Sequence, residues 1–579
     1  MTGVPEFEVR GRSTDLIVLL HAYVSSPDNL AYIRTVAASE RPDADILVPA
    51  MPTALFSLAD PIDIARELLE KVDHAWTERA ENGEPYSRIV LVGHSLGALI
   101  ARKVYVFACG ENDDAPFESD RPSPSLRMTK ESRAVPRNWA SRVERIVLLA
   151  AMNRGWVISH HMSFSRAAAW TIGTFVGNTI TFVARRPPLI FTFRRGAPFL
   201  TELRIQWLSM REHARRKRVG DALTVQLLGS IDDMVSPEDN LDLVAGHDFV
   251  YLDVPHSGHA NVVEMDDTSA GRGRAEVLRR ALTRGEGELE AEKVRPSDLP
   301  LPARREEVTD VIFVIHGIRD LGYWTHKIAR RVQALGKAAH RVFESETSSY
   351  GYFPMLSFLL PGRRRAKVEW LMDQYAEAKA LYPNAKFSFV GHSNGTYLVA
   401  RALRDYPCCR FHRVVFAGSV VSTGYDWCTL LQNGRVGAVM NYVATADWVV
   451  AIFPKAVQML RLQDLGSAGH DGFLSTNDGE MHNIRYVRGS HSAALAEENW
   501  DAIAQFVVNG DRTPPPLLLR AQHPVIVAVG HIAPVIWLVI AALLALIGWS
   551  ILDTNWPEWW KTTILIAYLY GIYKVLTKV

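Results

Sequence analysis

The chain carries one pattern of features twice, at a spacing large enough for a whole domain. In the first copy, the apolar run DLIVLLHAY contains a histidine, and SRIVLVGHSLGALIARKVY later passes from an apolar run through Gly-His-Ser-Leu-Gly into a helix-like stretch. In the second copy, DVIFVIHGI and AKFSFVGHSNGTYLVARAL do the same. Short runs of Val, Ile and Leu predict buried strands, and strands that alternate with helices predict a parallel sheet. We therefore expect two tandem α/β domains.

The length and the charge of the chain fit this organisation and narrow its partners. At 579 residues the chain exceeds the usual size of one domain. Acidic and basic side chains nearly cancel to a formal net charge of +1, which argues against a nucleic acid as partner. The four cysteines, Cys109, Cys408, Cys409 and Cys428, include no CxxC pair. We therefore expect no metal site, no cofactor, no disulfide framework and a reducing compartment.

Ser95 and Ser393 stand at the centres of the two glycine motifs, GHSLG and GHSNG. Small glycines permit the strained turn between a strand and a helix that exposes a serine hydroxyl, a turn called the nucleophile elbow. Such a serine needs a histidine as its base and a carboxylate that orients the histidine. The motifs therefore predict a nucleophilic serine in each domain. The alternative is a glycine turn that only packs a helix against a sheet.

Both copies resemble the α/β-hydrolase superfamily, over about residues 7–283 and 308–508. The resemblance implies mostly parallel sheets flanked by helices, and a catalytic triad in the chain order Ser, then Asp or Glu, then His. It also implies two backbone N–H groups that bind the oxyanion of the reaction.

In the first domain the resemblance implies a triad of Ser95, Asp232 and His259. The segment GSIDDMVSP is similar to the acid turn of the family, and VPHSGHANVV is similar to its histidine loop. Neighbouring Asp233 and His256 remain the alternatives for the acid and the base.

In the second domain the resemblance implies a triad of Ser393, Asp447 and His491. Asp447 follows the apolar run in YVATADWVV, and His491 follows the run in IRYVRGSH. His470 and His482 compete with His491, although each is also explained as a surface histidine.

The oxyanion donors implied by the resemblance are the N–H groups of Tyr23 and Leu96 in the first domain and of Ile318 and Asn394 in the second. The second domain has the His-Gly pair that is usual in the family, at His316-Gly317. The first domain has His21-Ala22 at this place, which departs from the family pattern.

The predicted organisation places the first hydrolase domain at residues 1–284 and the second at 308–512. Residues 285–307 are charged and interrupted by prolines, as is typical of a linker. An insert at about 153–212 stands where the family often carries a cap or lid. Residues 524–579 form a segment that anchors the chain to a membrane.

The lid insert contains an uncharged, apolar stretch, Ala167 to Ala184. On one side it is flanked by Arg166, and on the other side by a basic series, Arg185, Arg186, Arg194, Arg195, Arg211, Arg215, Arg216, Lys217 and Arg218. An apolar lid with a basic collar could dock on anionic lipid. The alternative is a cap helix that packs on the protein and presents a solvated arginine face.

The C-terminal run from Pro524 to Leu552 has no charged residue and exceeds the roughly 30 Å of a bilayer core as a helix. We expect a membrane-spanning helix that begins near Pro534. The next apolar run, Thr562 to Tyr573, is short, so a helical hairpin and a single span with an interfacial helix both remain open. Because the N-terminus lacks the apolar region of a signal peptide, we expect both domains on the cytoplasmic side.

These features favour a membrane-attached serine esterase or lipase that cleaves carboxylic esters, with a lipid-like ester as its substrate. Acyl transfer or thioester cleavage on the same triads is the second possibility, because only the acyl acceptor or donor differs. A membrane-tethered scaffold with one or both sites inactive is the third.

Overall fold

The computed structural model describes most of the chain, in two compact units. The first unit comprises Met1–Ala303 and Met372–Leu381, and the second comprises Arg304–Leu371 and Tyr382–Val579. The described residues are 5–10, 14–111, 135–157, 173, 176–177, 179–181, 184–230, 249–294, 302–318, 320, 322–347, 349–351, 353–475, 479–514, 516 and 518–578.

The first unit is built around a seven-stranded sheet in the order β1-β3-β2-β4-β5-β6-β7. All pairs are parallel except β1 with β3, which is antiparallel. The strands are β1 Phe7–Glu8, β2 Asp15–Leu20, β3 Asp45–Leu47, β4 Arg88–His94, β5 Val143–Leu149, β6 Leu223–Gly229 and β7 Phe249–Val254. The main helices are α1 Ala31–Glu40, α2 Pro61–Glu81, α3 Leu96–Ala108, α4 Pro198–Lys217, α5 Ser269–Thr283 and α6 Glu286–Glu292.

Alternation along the strands divides the core of the first unit between the two faces of the sheet. On β2, Leu16, Val18 and Leu20 belong to one buried apolar cluster, whereas Ile17 and Leu19 belong to another. Successive side chains of a strand point to opposite faces, so a strand that is covered by helices on both sides must be apolar throughout. This requirement explains why the apolar runs of the sequence are continuous rather than alternating.

The second unit is built around a six-stranded, fully parallel sheet in the order β13-β12-β11-β10-β8-β9. Its strands are β8 Asp310–Ile315, β9 Phe343–Glu346, β10 Lys386–His392, β11 Phe411–Ala417, β12 Val436–Ala444 and β13 Met481–Val487. The helices that precede the C-terminal segment are α7 Thr325–Ala338, α8 Met355–Leu359, α9 Pro361–Leu381 (which ends in the first unit), α10 Asn394–Asp405, α11 Trp427–Gln432, α12 Trp448–Met459, α13 Ala468–Asp471 and α14 Trp500–Asn509.

The two sheets have the same strand order. From β3 to β7, the order of the first sheet is β3-β2-β4-β5-β6-β7. The order of the second sheet is β9-β8-β10-β11-β12-β13, so that β9 corresponds to β3, β8 to β2, and so on to β13 and β7. The expectation of two mostly parallel sheets flanked by helices is confirmed, and the internal repeat of the sequence corresponds to a repeated topology.

The beginning of the predicted linker forms regular structure. Residues 286–292 are the helix α6, whose Leu289 is fully buried in the core of the first unit. The N–H of Val294 then donates to the carbonyl oxygen of Tyr251 on β7. The polar composition of this stretch predicted a linker because one buried leucine among charged residues gives no periodic signal.

The C-terminal segment forms three helices, α15 Pro524–His531, α16 Ala533–Leu552 and α17 Glu558–Lys578. Within the described part of the chain, α16 alone is long and apolar enough to cross a membrane, with a mean hydropathy of 2.7. The hydroxyl of Tyr568 on α17 donates to the carbonyl oxygen of Leu544 on α16 at 2.7 Å. Since only five residues separate the two helices, this contact makes them antiparallel neighbours.

Candidate active sites

Ser95 occupies the strained turn between β4 and α3. The strand ends at His94 and the helix begins at Leu96, so Ser95 alone makes the turn, with φ 53° and ψ −114°. A positive φ is uncommon for a residue with a side chain, and it persists only where the surroundings hold it. Part of that support is the bond from the Ser95 N–H to the carbonyl oxygen of Leu149, at 2.9 Å.

The first site brings Ser95 and His259 into contact. Ser95 Oγ and His259 Nε2 are 2.8 Å apart, and both side chains are buried. The alternative base, His256, is exposed. His94, which precedes the serine, lies with its Nε2 2.9 Å from the carbonyl oxygen of His259. His94 therefore helps to fix the backbone that carries the histidine.

The acid of the first site lies outside the described residues. Both Asp232 and Asp233 fall in the stretch 231–248. The strand before them, β6, ends at Gly229, so Asp232 follows its strand by three residues. In the second unit β12 ends at Ala444, and Asp447 also follows by three residues. The matching offset keeps Asp232 as the predicted acid.

The loop after β2 lies against the start of α3. A Cβ atom added to Gly97 would come within 2.6 Å of the carbonyl oxygens of Leu20 and His21, so only glycine allows this approach. His21 accepts a bond from the N–H of Met51 at Nε2, which leaves Nδ1 to donate to the carbonyl oxygen of Ala22. Burial lowers the pKa of His21, in keeping with this neutral form.

Ser393 occupies the corresponding turn of the second unit. It stands between β10 and α10 with φ 51° and ψ −117°, within a few degrees of the values at Ser95. Its N–H donates to the carbonyl oxygen of Ala417 at 3.0 Å. The structure thus forms the same turn twice from two different flanking sequences.

The second site brings His491 and Asp447 into contact. His491 Nδ1 lies 3.0 Å from both carboxylate oxygens of Asp447, which is fully buried. The same carboxylate accepts the N–H of Val450 and so caps the N-terminus of α12. His491 lies against Gly418, at the end of β11. Among the described atoms no hydrogen bond joins Ser393 Oγ to His491.

The competing histidines of the second unit lie elsewhere. His470 is buried in α13, where its carbonyl oxygen accepts from Gln522 Nε2 at 2.6 Å. His482 lies on β13 and is half-buried. Burial lowers the pKa of both imidazoles.

His392 is a buried neighbour of the second site. Its ring centroid is 4.8 Å from that of His491. Burial, and then the nearby His491, lower the pKa of His392 to about 3. The ring is therefore neutral at physiological pH and adds no second positive charge beside His491.

Tyr350 holds the loop after β8 against the start of α10. Its hydroxyl lies 2.9 Å from the carbonyl oxygen of His316 and 2.8 Å from that of Gly317, and it accepts from Asn394 Nδ2 at 3.2 Å. Burial raises the pKa of this hydroxyl, so it stays protonated. As in the first unit, the histidine ring bonds within the loop, from His316 Nδ1 to the carbonyl oxygen of Gly317.

The four predicted oxyanion donors lie on these two loops and at the two helix starts. Among the described residues, the backbone N–H groups of these four donors form no hydrogen bond; they are Tyr23, Leu96, Ile318 and Asn394. The first N–H groups of a helix have no partner within the helix, which leaves Leu96 and Asn394 able to donate to a ligand.

Most of the apolar lid stretch, Ala167 to Ala184, falls outside the described residues. The described residues from 184 onward lead into α4, whose Leu203 and Trp207 are buried in the core of the first unit. This part of the insert is therefore a helix packed on the protein.

The sequence of residues 17–270 matches the model of the alpha/beta hydrolase family. This match lies within the first unit and supports an α/β-hydrolase fold there. No curated protein sequence matches the chain.

Several solved structures are similar to parts of this hydrolase. Phospholipase PlaB from Legionella pneumophila, solved with thio-NAD, is 14% identical with a TM-score of 0.23, and the match covers 38% of each chain. An esterase from Rhizomucor miehei is 12% identical with a TM-score of 0.29, over 49% of this chain and 77% of its own. The peroxisomal hydrolase Lpx1 from Saccharomyces cerevisiae is 13% identical with a TM-score of 0.28, over 47% and 78%. At these TM-scores the similarities do not bear on the activity of the chain.

Sequence reasoning missed three residues that shape the sites of this hydrolase, His94, His392 and Tyr350. The two histidines had a signal, because histidine precedes serine in both glycine motifs. Tyr350 had none, since the loop carbonyls and the Asn394 amide that its hydroxyl contacts are more than 30 residues away in the chain.

Proposed function

We propose that this α/β hydrolase is a membrane-attached serine esterase or lipase that cleaves carboxylic esters through Ser-His-Asp triads in one or both units. The observation that carries the proposal is the 2.8 Å contact between Ser95 Oγ, on its strained turn, and His259 Nε2. A hydroxyl in hydrogen-bond contact with an imidazole can lose its proton as it attacks a carbonyl carbon.

In the proposed reaction, Ser95 Oγ forms a bond to the ester carbonyl carbon while its proton moves to His259 Nε2. The N–H groups of Tyr23 and Leu96 stabilise the oxyanion. The protonated histidine then gives its proton to the leaving alcohol as the acyl-oxygen bond breaks. Water repeats these steps on the acyl-enzyme and releases the acid. Asp232 orients His259, and Ser393, His491 and Asp447 have the same roles in the second unit.

The two sites show different contacts of the proposed triad. The first site has the Ser-His contact, whereas the second has the His-Asp contact without the Ser-His bond. Catalytic hydrogen bonds are often long before substrate binds, so this geometry is compatible with an active second serine.

The membrane part of the proposal rests on α16, an apolar helix of 20 residues. At 1.5 Å per residue it extends about 30 Å, which is the thickness of a bilayer core. The antiparallel contact with α17 favours a hairpin, with Arg520, Lys574 and Lys578 on one side. The positive-inside rule then places both units in the cytoplasm. A lipid-like ester is the substrate that such an anchor would bring near.

A fluorophosphonate probe tests the proposal on the full chain in detergent. We expect labelling to fall stepwise in Ser95→Ala and Ser393→Ala and to vanish in the double variant. The matched control is Ser209→Ala, since this serine lies within α4 and not at an elbow turn. Labelling that persists in the double variant would exclude both serines as nucleophiles.

A further inference from the structure

The second unit contains a polar cavity that the proposed reaction does not use. Its volume is about 310 Å³. The residues that line it come from α10, from the segment after β11, and from the end of α12 and the loop that follows. They are Tyr397, Ala400, Arg401, Arg404, Val421, Ser422, Tyr425, Gln458, Arg461, Gln463, Asp464 and Leu465.

Positive charge exceeds negative charge around this cavity. Asp464 receives three guanidinium groups, those of Arg401 at 2.5 Å, Arg404 at 3.3 Å and Arg364 at 3.3 Å. The only further carboxylate that pairs with these arginines, among the described residues, is Asp405.

Arg461 is the third guanidinium of the lining and, with the buried Arg364, the fourth around the cavity; no carboxylate of the described residues lies within 4.0 Å of it. Four guanidinium groups thus face two carboxylates, which leaves an excess of two positive charges. An anion that enters the cavity gains from this excess and displaces no existing ion pair of Arg461.

The two amide oxygens of the cavity lining already accept hydrogen bonds from the protein. The amide oxygen of Gln458 already accepts from the N–H groups of Thr423 and Ser467, at 3.2 and 3.0 Å. The amide oxygen of Gln463 accepts from Arg364 at 2.7 Å. Guanidinium groups present several N–H donors in a planar fork that matches phosphate oxygens. The chemistry of the lining therefore favours a phosphate group over a cation or a sugar.

One side of the cavity is formed by α10, the helix that follows the second serine. Tyr397, Arg401 and Arg404 lie on one face of α10, and Tyr397 is one helical turn from Ser393. At 1.5 Å per residue, the position of Arg401 is about 12 Å along the helix from the serine. A ligand held by these arginines would thus have its phosphate group some ångströms away from an ester bond at Ser393.

The cavity also lies where the C-terminal hairpin joins the second unit. Gln463 Nε2 donates to the carbonyl oxygen of Leu359 at the end of α8, and α8 packs against α17. Gln458 belongs to α12, which packs against α15 and α16. The Phe453 ring on α12 contacts Trp537, near the start of α16, at 5.4 Å between centroids. The elements that form or adjoin this side of the cavity are thus the ones that the hairpin contacts.

We propose that this cavity binds the phosphate group of a phospholipid. The excess of guanidinium groups supplies the affinity for phosphate, and the adjoining hairpin supplies the lipid as its source. That the bound phospholipid is also the substrate of Ser393 rests on the proposed function. Binding itself does not, because it requires no reaction at the serine.

The test uses the full chain carrying Ser393→Ala, in nonionic detergent, so that no ester is cleaved at this site. Native mass spectrometry measures the occupancy of added phosphatidic acid and of diacylglycerol, which has the same acyl chains without the phosphate. We expect phosphatidic acid to bind at least about tenfold more tightly, since a charge-assisted hydrogen bond contributes about 1.5–3 kcal/mol.

The variant Arg404→Gln/Arg461→Gln should remove this preference, because it deletes two charges of the lining. Arg404 is half-exposed and only loosely paired, so the fold should tolerate the change. The matched control is Arg330→Gln/Arg331→Gln, which deletes two exposed charges on α7, outside the cavity. Equal melting temperatures of the two variants show that each is folded.

A second arm separates a lipid from a soluble phosphate compound. Inorganic phosphate is added to the same variants, and the melting temperature is measured. Suppose that phosphate raises the melting temperature, that Arg404→Gln/Arg461→Gln abolishes this rise, and that the chain does not prefer phosphatidic acid. The cavity would then bind phosphate, but the proposal that a phospholipid supplies it would be overturned. The proposal would be overturned if both lipids bind equally, neither pair of substitutions changes this binding, and inorganic phosphate does not change the melting temperature. Absence of fluorophosphonate labelling at Ser393 in the chain that retains this serine, with lipid binding intact, would instead count against the proposed catalysis.

Discussion

Asp447 has two hydrogen-bonding partners that serve different purposes. One is the N–H of Val450, which the carboxylate caps at the start of α12, and the other is His491 Nδ1. A buried carboxylate that accepts from both fixes the position of the helix relative to the histidine. The stability of α12 and the orientation of the proposed base thus depend on the same side chain.

The substitution Asp447→Asn separates these two purposes. Asparagine is as good an N-cap as aspartate, so the fold should be kept. Its amide, however, cannot stabilise the charged imidazole of His491, and it can favour the wrong tautomer. In a Ser95→Ala background we expect kcat on a short soluble ester to fall by about 10³ to 10⁴-fold, with little change in melting temperature. Steady-state kinetics and thermal unfolding measure both.

Two controls accompany this substitution. In a Ser393→Ala background Asp447→Asn should leave turnover by Ser95 unchanged. Asp447→Ala should in addition lose the cap, at a cost of about 1 kcal/mol in the free energy of unfolding. Unchanged turnover in the Ser95→Ala background would show that Asp447 only caps the helix.

At the scale of elements, the loop after β2 in the first unit differs from the corresponding loop after β8 in the second unit. Gly317 in the second loop has no room for a side chain, because an added Cβ atom would come within 2.8 Å of Ser393 Cβ. The first loop has Ala22 at this place, and its side chain is buried without displacing the Ser95 turn. The departure from the family pattern at Ala22 is therefore accommodated by the first unit.

The substitution Gly317→Ala should push the loop away from Ser393. Because the proposed donor Ile318 follows directly, we expect the rate of fluorophosphonate labelling at Ser393 to fall by at least about tenfold, within the range for loss of an oxyanion donor. The reverse change, Ala22→Gly, should leave labelling at Ser95 within a few-fold of wild type. Each rate is measured in the background that lacks the other serine. A Gly317→Ala variant that labels as fast as wild type would show that the loop is not part of the site.

The sequence predicted those elements whose formation depends on local patterns. The strands before Ser95 and Ser393 are continuous apolar runs, and the glycines mark the turns, so both sheets and both elbows followed from residues close in the chain. Asp447 and His491 each follow a strand, and parallel strands bring their carboxyl ends to one edge of the sheet, so the sequence predicts that these two residues lie close together. Tyr350 and α6 could not be predicted, since each depends on packing between residues that are distant in sequence.

At the scale of the whole molecule, the C-terminal helices are connected to the second unit by more than a tether. The N–H of His523 donates to the carbonyl oxygen of Thr445, two residues before Asp447. The helix α15 then packs on α12. A Cβ atom added to Gly530 on α15 would lie 3.5 Å from the carbonyl oxygen of Ala451 on α12. The sequence predicts residues 524–579 only as an anchor, because an apolar run does not indicate which surface of the protein it packs against.

Truncation therefore should affect the two serines differently. A chain that ends at residue 523 loses all three C-terminal helices, of which α15 and α16 pack on α12, with a contact between Trp537 and Phe453. We expect this chain to leave the membrane fraction and to keep fluorophosphonate labelling at Ser95. Labelling at Ser393 should fall, because the exposed α12 carries Asp447 at its N-terminus. A matched chain that ends at residue 532 keeps α15 and should retain more labelling at Ser393. Equal labelling of Ser393 in both truncated chains and in the full chain would show that α12 holds Asp447 in place without the C-terminal helices, and membrane association of either truncated chain would place an anchor outside residues 533–579.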